Sequence, residues 1–284
     1  MSEPTQIEIA GFPGLYAEGE GERVRALPLV FLHGMWAHHE FFQNYLRFFA
    51  TAGFDCYAVS RRGRKGVPPA NAQGVRFQDC LDDTLSTLDA IGREAIVVGW
   101  SLGGLVAQKV AEAGRGRAAV LVAPVAPRDV RTFPRLGALP TYLRHLPDML
   151  LGRPFLPSYA NAVRTFLNRI PEADRRRAYG AIVPDSGTVG RQIALTGVRV
   201  DASKVRCPVL CVVGADDNGT PARSVRRIAA KYDADLREYP NHAHMLMEEP
   251  GWDGIASDML AWLEERAFSS AEAAAPNARQ LRTN

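Results

Sequence analysis

Serine is a weak nucleophile, and it becomes useful only where a fold lifts it into position and supplies a base. Ser101 lies in Gly99-Trp100-Ser101-Leu102-Gly103, followed by Gly104, where an aliphatic run meets a helix-like stretch. A sharp turn at that junction forces Ser101 into a strained conformation and exposes its hydroxyl above the end of a strand. Side chains at 99 and 103 would collide with the neighbouring strand and helix, which explains the glycines. The backbone N–H of Leu102, at the helix start, then faces developing negative charge. The base and the carboxylate that orients it must come from elsewhere in the chain. Two acidic candidates, Asp216 and Asp217, stand in Asp-Asp-Asn-Gly-Thr-Pro, and two basic ones, His242 and His244, in Asn-His-Ala-His-Met. Asp129 is a more distant third candidate for the acid.

Short apolar runs place these residues. Leu29-Val30-Phe31-Leu32, ending at His33-Gly34, is a buried strand, as are Tyr57-Ala58-Val59, Ala95-Ile96-Val97-Val98 and Ala118 to Ala123. Between them, Phe41 to Ala52, the stretch marked by Phe77, Leu81, Leu85 and Leu88, and Leu102 to Ala113 have helical spacing. Val209 to Gly214 and Leu236 to Tyr239 are further strands, Ala222 to Lys231 a helix, and Trp252 to Glu265 a closing helix. Strand–helix alternation of this kind predicts an α/β fold, a mostly parallel sheet with helices on both faces.

The rhythm breaks after Pro124. Eight prolines between Ala126 and Lys204 predict an inserted lid of short helices, such as Ala160 to Ile170, with no long helix. The expected organisation is a core of residues 1–125 and 205–268, a helical cap of 126–204, and a disordered tail of 269–284.

Composition narrows the class. In 284 residues, 46% are hydrophobic and 23% charged, as in a folded globular protein. The net charge of +3 does not call for nucleic acid. The longest apolar stretch, Ala118 to Ala126, is far short of the roughly 20 residues that span a bilayer. With no secretory signal visible after Met1, a cytoplasmic protein is expected. Cys56, Cys80, Cys207 and Cys211 match neither a zinc knuckle nor a redox pair and are expected as buried free thiols. His38, His39 and Glu40 lack a second ligand pair, so no metal is expected.

Taken in order, His33-Gly34, Gly99 to Gly103, Gly214 to Pro221 and the His244 loop resemble the α/β-hydrolase superfamily, over roughly residues 7–265. The elbow Gly-Trp-Ser-Leu-Gly-Gly-Leu-Val-Ala is similar to that of small carboxylesterases, including the pimeloyl-carrier-protein methyl ester esterases. The resemblance implies an α/β-hydrolase fold of about eight strands with a helical cap after strand six. It implies Ser101 as nucleophile, His244 as base and Asp217 as its orienting acid. His244 is favoured over His242 because Met-Leu-Met-Glu-Glu-Pro follows it, and Asp217 over Asp216 by its distance from Thr220-Pro221. The same resemblance makes the N–H of Met35 the second oxyanion donor, beside that of Leu102.

Serine at the elbow excludes the Asp-dependent chemistry of epoxide hydrolases and haloalkane dehalogenases of this fold. The implied reaction is hydrolysis of a small-molecule carboxylic ester or thioester through an acyl-enzyme, without a cofactor. Trp36 and Trp100 flank the elbow and are candidates for the acyl pocket. Acyl transfer or cyclisation, lactone hydrolysis and carbon–carbon cleavage use the same machinery. A binding protein with little turnover, or proton-transfer chemistry through His244 and Asp217, are alternatives of other classes. Two features depart from the pattern. Ala243 stands where glycine usually precedes the base. Ser60-Arg61-Arg62-Gly63-Arg64-Lys65-Gly66 replaces an Asp-x-Arg-Gly-x-Gly-x-Ser turn.

Charge is uneven along the chain. Residues 126–204 hold 13 basic and 6 acidic side chains. Arg128, Arg131, Arg135, Arg144 and Arg175-Arg176-Arg177 are candidates to steer an acidic carrier protein or coenzyme A thioester. With 30 Arg against 4 Lys in the chain, the competing reading is compositional bias on a solvated surface.

Overall fold

The computed structural model describes residues 3–21, 25–130 and 139–267. Arg131, Arg135 and the expected tail of 269–284 lie outside the described residues. Eight strands form one sheet: β1 (Thr5–Ile9), β2 (Phe12–Ala17), β3 (Leu29–Leu32), β4 (Cys56–Val59), β5 (Ile96–Trp100), β6 (Ala118–Val122), β7 (Val209–Gly214) and β8 (Asp235–Tyr239). Their spatial order is β1-β2-β4-β3-β5-β6-β7-β8. β1 and β2 form an antiparallel hairpin, and β2 meets β4 antiparallel. Every other pairing is parallel, with Leu32 opposite Gly99 and Trp100 opposite Val122.

Alternation along the strands sorts the core into two layers. Leu29, Phe31, Ile96 and Val98 pack on one face against α1 (Gln43–Thr51) and, further along the chain, α9 (Trp252–Trp262). Val30, Leu32, Val97 and Leu121 pack on the other against α2 (Phe77–Ile91), α3 (Leu102–Glu112) and α8 (Ala222–Tyr232). Both faces are covered, so the central strands are continuous apolar runs. Chain order reverses between β3 and β5, and the crevice at the carboxyl ends of strands flanking such a switch is where ligands bind in open α/β sheets. His33-Gly34 and Ser101 follow directly from these two strands.

Between β6 and β7 lie α4 (Leu139–Leu151), α5 (Tyr159–Thr165), α6 (Glu172–Ala181) and α7 (Gly187–Arg191). Three of these are short, but α4 runs for 13 residues, contrary to the expectation from proline density. Pro140 sits in its first turn, where no intrahelical N–H partner is lost. Pro147 is inside the helix, so one carbonyl of the preceding turn lacks its usual donor. The segment seats itself on the sheet's carboxyl end. The Val183 N–H donates to the Trp36 carbonyl at 2.9 Å, and the Asn168 amide to the Asp216 carbonyl at 3.0 Å. Phe166 and Ile182 join one core layer and Met149 and Phe155 the other.

Of the four cysteines, all free, Cys56, Cys80 and Cys211 are buried and Cys207 half-buried. Burial pushes the Cys211 thiol up to about 12. No helix among the described residues is long and apolar enough to cross a membrane.

Candidate active site

The turn from β5 to α3 holds Ser101 at φ 56°, ψ −116°, a region that L-residues avoid. The glycines around it make room for that turn. A Cβ on Gly103 would lie 1.9 Å from the Leu32 carbonyl oxygen, and one on Gly99 2.3 Å from the Gly103 oxygen. Gly34 is constrained less severely: its Cβ would sit 3.1 Å from that of Ser101, a tight contact. The loop after β3 therefore approaches the serine closely, and it carries Met35. The Leu102 amide is the first of α3 and has no acceptor within its own helix.

His244 and Asp217 come from the loops after β8 and β7. Asp217 is fully buried, and its Oδ2 is 2.7 Å from His244 Nδ1. Its Oδ1 accepts from the amides of Gly219 (2.7 Å) and Thr220 (2.9 Å), and the Thr220 hydroxyl lies 2.8 Å from Oδ2. Carboxylate contact at Nδ1 fixes the tautomer with the proton there and leaves Nε2 as the basic atom of the ring. The competing candidates are engaged elsewhere. Asp216 is an exposed partner of Arg169, with Nε 2.8 Å from Oδ2. Asp129 pairs with Lys231. His242 lies beside Glu249, with Nδ1 3.3 Å from Oε2.

The loop carrying His244 is braced by Glu249, a residue whose role the sequence did not disclose. Its buried carboxylate accepts from the amides on either side of the histidine, Ala243 at 2.7 Å and Met245 at 3.0 Å. Burial raises this carboxyl above its ordinary value, against the lowering pull of the two amide donors. Only its place in Glu-Glu-Pro hinted at it. Thr220 was similarly visible only as a spacer before Pro221.

A cavity of about 380 Å³ opens between the sheet edge and the inserted helices. Ser101, His244, Met35 and Trp36 line it together with side chains of the inserted segment, among them Leu146, Met149, Phe155, Phe166 and Ile193. Among the described residues that line it, none is acidic, lysine or arginine. Trp100 does not line the cavity. It stacks on Phe41 with ring centroids 5.9 Å apart and donates its indole N–H to the His244 carbonyl at 2.8 Å.

His38, His39 and Glu40 open a short helical turn. His38 Nε2 is 3.0 Å from the Ala181 carbonyl and His39 Nδ1 2.7 Å from Ser60 Oγ. No group of three or more potential ligands poised for a metal ion occurs among the described residues. The basic side chains of 126–204 divide in use. Arg128, Arg144 and Arg176 are exposed, and Arg176 stacks on Tyr159 at 4.2 Å. Arg175 donates to the Ile170 carbonyl at 2.9 Å, and Arg177 pairs with Asp174 at 3.2 Å.

A serine at a strained strand-to-helix turn and an imidazole held by a buried carboxylate thus open on one cavity at the sheet's carboxyl edge. The chain belongs to the alpha/beta hydrolase family, whose model matches residues 29–256, and it is a hydrolase by that membership. Over 211 residues it is 31% identical to a pimeloyl-[acyl-carrier protein] methyl ester esterase of Neisseria meningitidis serogroup C, covering 68% of this chain and 76% of that one. Of a matching esterase from serogroup A the chain spans 62%. A hydrolase from Pseudomonas aeruginosa shares the fold at a TM-score of 0.68 and 22% identity, covering 92% of this chain and 98% of that one. A monoacylglycerol lipase of Paleococcus ferrophilus matches at 0.67 and 19%, covering 93% and 99%.

Proposed function

We propose that the protein is a serine hydrolase that cleaves a carboxylic ester or thioester with a neutral, apolar acyl group. The observation that carries this reading is the strained Ser101 elbow opening on the same cavity as His244, itself held by fully buried Asp217. Ser101 Oγ attacks the carbonyl while His244 Nε2 takes its proton. The amides of Met35 and Leu102 stabilise the oxyanion, and His244 returns the proton to the leaving group. Water, activated by the same base, then releases the acid. Residues 126–204 act as a cap that closes the apolar acyl pocket over this site.

The pocket's chemistry supports the choice of acyl group. A carboxylate or ammonium entering a cavity whose described lining carries no acidic, lysine or arginine side chain would lose its hydration with no partner there in exchange. An acyl chain gains roughly 0.8 kcal/mol per buried methylene. The leaving group lies outside the pocket and is an alcohol or a carrier- or coenzyme-A-linked thiol. The esterase relative's name and the basic excess of the cap favour an acidic carrier as the second form of substrate.

A p-nitrophenyl ester series from acetate to dodecanoate, with a succinate half-ester as charged control, tests this reading. It expects kcat/KM to peak at an intermediate chain length and the charged ester to fall at least about 100-fold below its neutral counterpart. No turnover of any ester would overturn it. Carrier-linked and free forms of the best acyl group, compared at low and high salt, test the second form. Equal rates for both at either salt would exclude it.

A further inference from the structure

The loop that departs from the family pattern, Ser60 to Gly66, holds two buried arginines, Arg61 and Arg64, each 4% exposed. Burying a guanidinium is costly unless its donors are used, so the question is what they hold. Arg61 donates through Nη2 to the His33 carbonyl at 2.9 Å, and its own amide faces His33 Nε2 at 3.3 Å. Arg64 donates through Nε to the Ala37 carbonyl at 3.1 Å. The two arginines thus grip the first and last residues of the 33–37 loop, in which Met35 is central. Arg62, between them, turns the other way and pairs with Asp83.

The countercharge for Arg64 comes from the inserted segment. Asp185, 1% exposed, forms an ion pair with Arg64 through Oδ2, and the same oxygen accepts the Trp36 N–H at 2.9 Å. Trp36, next to Met35, is held at φ 61°. Its backbone conformation is therefore one that its surroundings must impose. Those surroundings are supplied by the same few residues. The Trp36 carbonyl takes the Val183 N–H, and its indole donates to the Phe155 carbonyl at 3.1 Å. Phe155 and Asp185 in turn exchange backbone bonds at 2.9 and 3.0 Å. Asp185 Oδ1 accepts the Ser186 N–H at 2.6 Å, and the Ser186 hydroxyl donates to the Val75 carbonyl at 2.6 Å, anchoring the clasp to the core.

We propose that Asp185 is a positioning residue. Through Arg64 and the Trp36 amide, it makes the geometry of the Met35 oxyanion donor depend on the seating of the cap. The proposal rests on the serine-hydrolase reading above. On this account the acyl pocket and the oxyanion site form together, because the segment that walls the pocket also sets the backbone of the loop. Asp185 touches neither substrate nor Ser101; its effect belongs to the transition state, where oxyanion contacts strengthen.

The test compares wild type, Asp185→Ala and the charge-balanced double variant Arg64→Leu/Asp185→Asn. Each is assayed for kcat and KM on the best p-nitrophenyl ester and for inhibition by an alkylboronic acid, which forms a tetrahedral adduct with an activated serine. The expected result is a fall in kcat of about 10–100-fold with KM within about threefold. Boronate affinity should fall by the same factor as kcat/KM, and the pH profile should be unchanged because the base is untouched. Folded variants with unchanged kcat and boronate affinity, or with a loss confined to KM, would overturn the proposal. Should neither variant fold, amide hydrogen exchange on the wild type decides. Boronate should protect 33–37 and 183–186 together, and protection confined to the Ser101 turn would overturn the coupling. Wild type that neither hydrolyses the ester nor binds the boronate would instead defeat the serine-hydrolase reading itself.

Discussion

Trp100 donates its indole N–H to the carbonyl of His244 at 2.8 Å, so the residue before the candidate nucleophile holds the loop that carries the candidate base. The bond joins the carboxyl ends of β5 and β8, strands that lie three places apart in the sheet. Glu249 fixes the same loop from behind through the amides of Ala243 and Met245. His244 is thereby constrained at its ring by Asp217, at its carbonyl by Trp100 and at both neighbouring amides by Glu249. Such supporting contacts keep a catalytic side chain within the narrow geometry that its chemistry requires.

Asp217 and its neighbour Asp216 separate cleanly by experiment. Asp217→Asn should lower kcat by about 10³–10⁴-fold, because an amide no longer enforces the Nδ1–H tautomer. Asp216→Asn loses only an exposed pair with Arg169 and should change kcat/KM by less than about threefold. Steady-state kinetics of both variants checks this, and comparable losses in the two would contradict the assignment.

Gly103→Ala should fail structurally. Its methyl group would be placed 1.9 Å from the Leu32 carbonyl oxygen, inside the packed junction of β3, β5 and α3. A destabilisation above about 3 kcal/mol is expected, since backbone atoms must move to accept it. Urea unfolding of the variant gives the figure, and a loss below about 1 kcal/mol would show the junction to be looser than described.

How far the site could be read in advance depended on how local each cause was. The elbow was legible because Gly99, Ser101 and Gly103 encode one turn within five residues. The central strands were legible as apolar runs, since both faces are covered. Neither β1 nor β2 was recognised as a strand: β1 is an edge strand with an exposed or half-exposed pattern, and β2 carries Pro13 and Gly14 among its apolar residues. The clasp of Asp185 on Arg64 and Trp36 joins positions more than a hundred residues apart, and nothing in either segment alone points to the other. Trp100 shows a related limit: adjacency to Ser101 suggested the pocket, but its indole is engaged by Phe41 and the His244 carbonyl. Pro147 misled for a physical reason as well: one missing hydrogen bond does not end α4, whose Met149 is buried in a core layer and whose Leu146 packs against that layer.

Gly190 lines the cavity proposed to hold the acyl chain. A Cβ there would come 3.0 Å from Phe155 and 3.1 Å from Met149, both of which line the cavity. Gly190→Val should therefore shift the chain-length optimum downward by about one to three carbons, each methylene being worth roughly 0.8 kcal/mol of burial. Hydrolysis of the acetate ester should be nearly unaffected. An unchanged optimum would place the acyl chain elsewhere.

Acid should destabilise the fold partly through His38. Burial and nearby Lys65 hold its imidazole down at about 4, against 6.5 when unfolded. Between these values the unfolded chain binds the extra proton, so stability is full above about pH 6.5 and is lost as pH falls toward 4. His33 and His39 shift in the same direction, both through burial first. His38→Gln should remove up to one proton's share of the slope, about 1.4 kcal/mol per pH unit. Urea unfolding at pH 7 and pH 4.5 measures the difference, and parallel slopes for variant and wild type would contradict it.

The central claim is that Ser101 is an activated nucleophile, and intact-protein mass after treatment with a fluorophosphonate probe tests it most directly. The account predicts one adduct per chain in the wild type, none in Ser101→Ala, and ester turnover lost in the same variant by at least about 10³-fold. A wild type that takes up no probe and hydrolyses no ester, or an adduct that persists in Ser101→Ala, would contradict it.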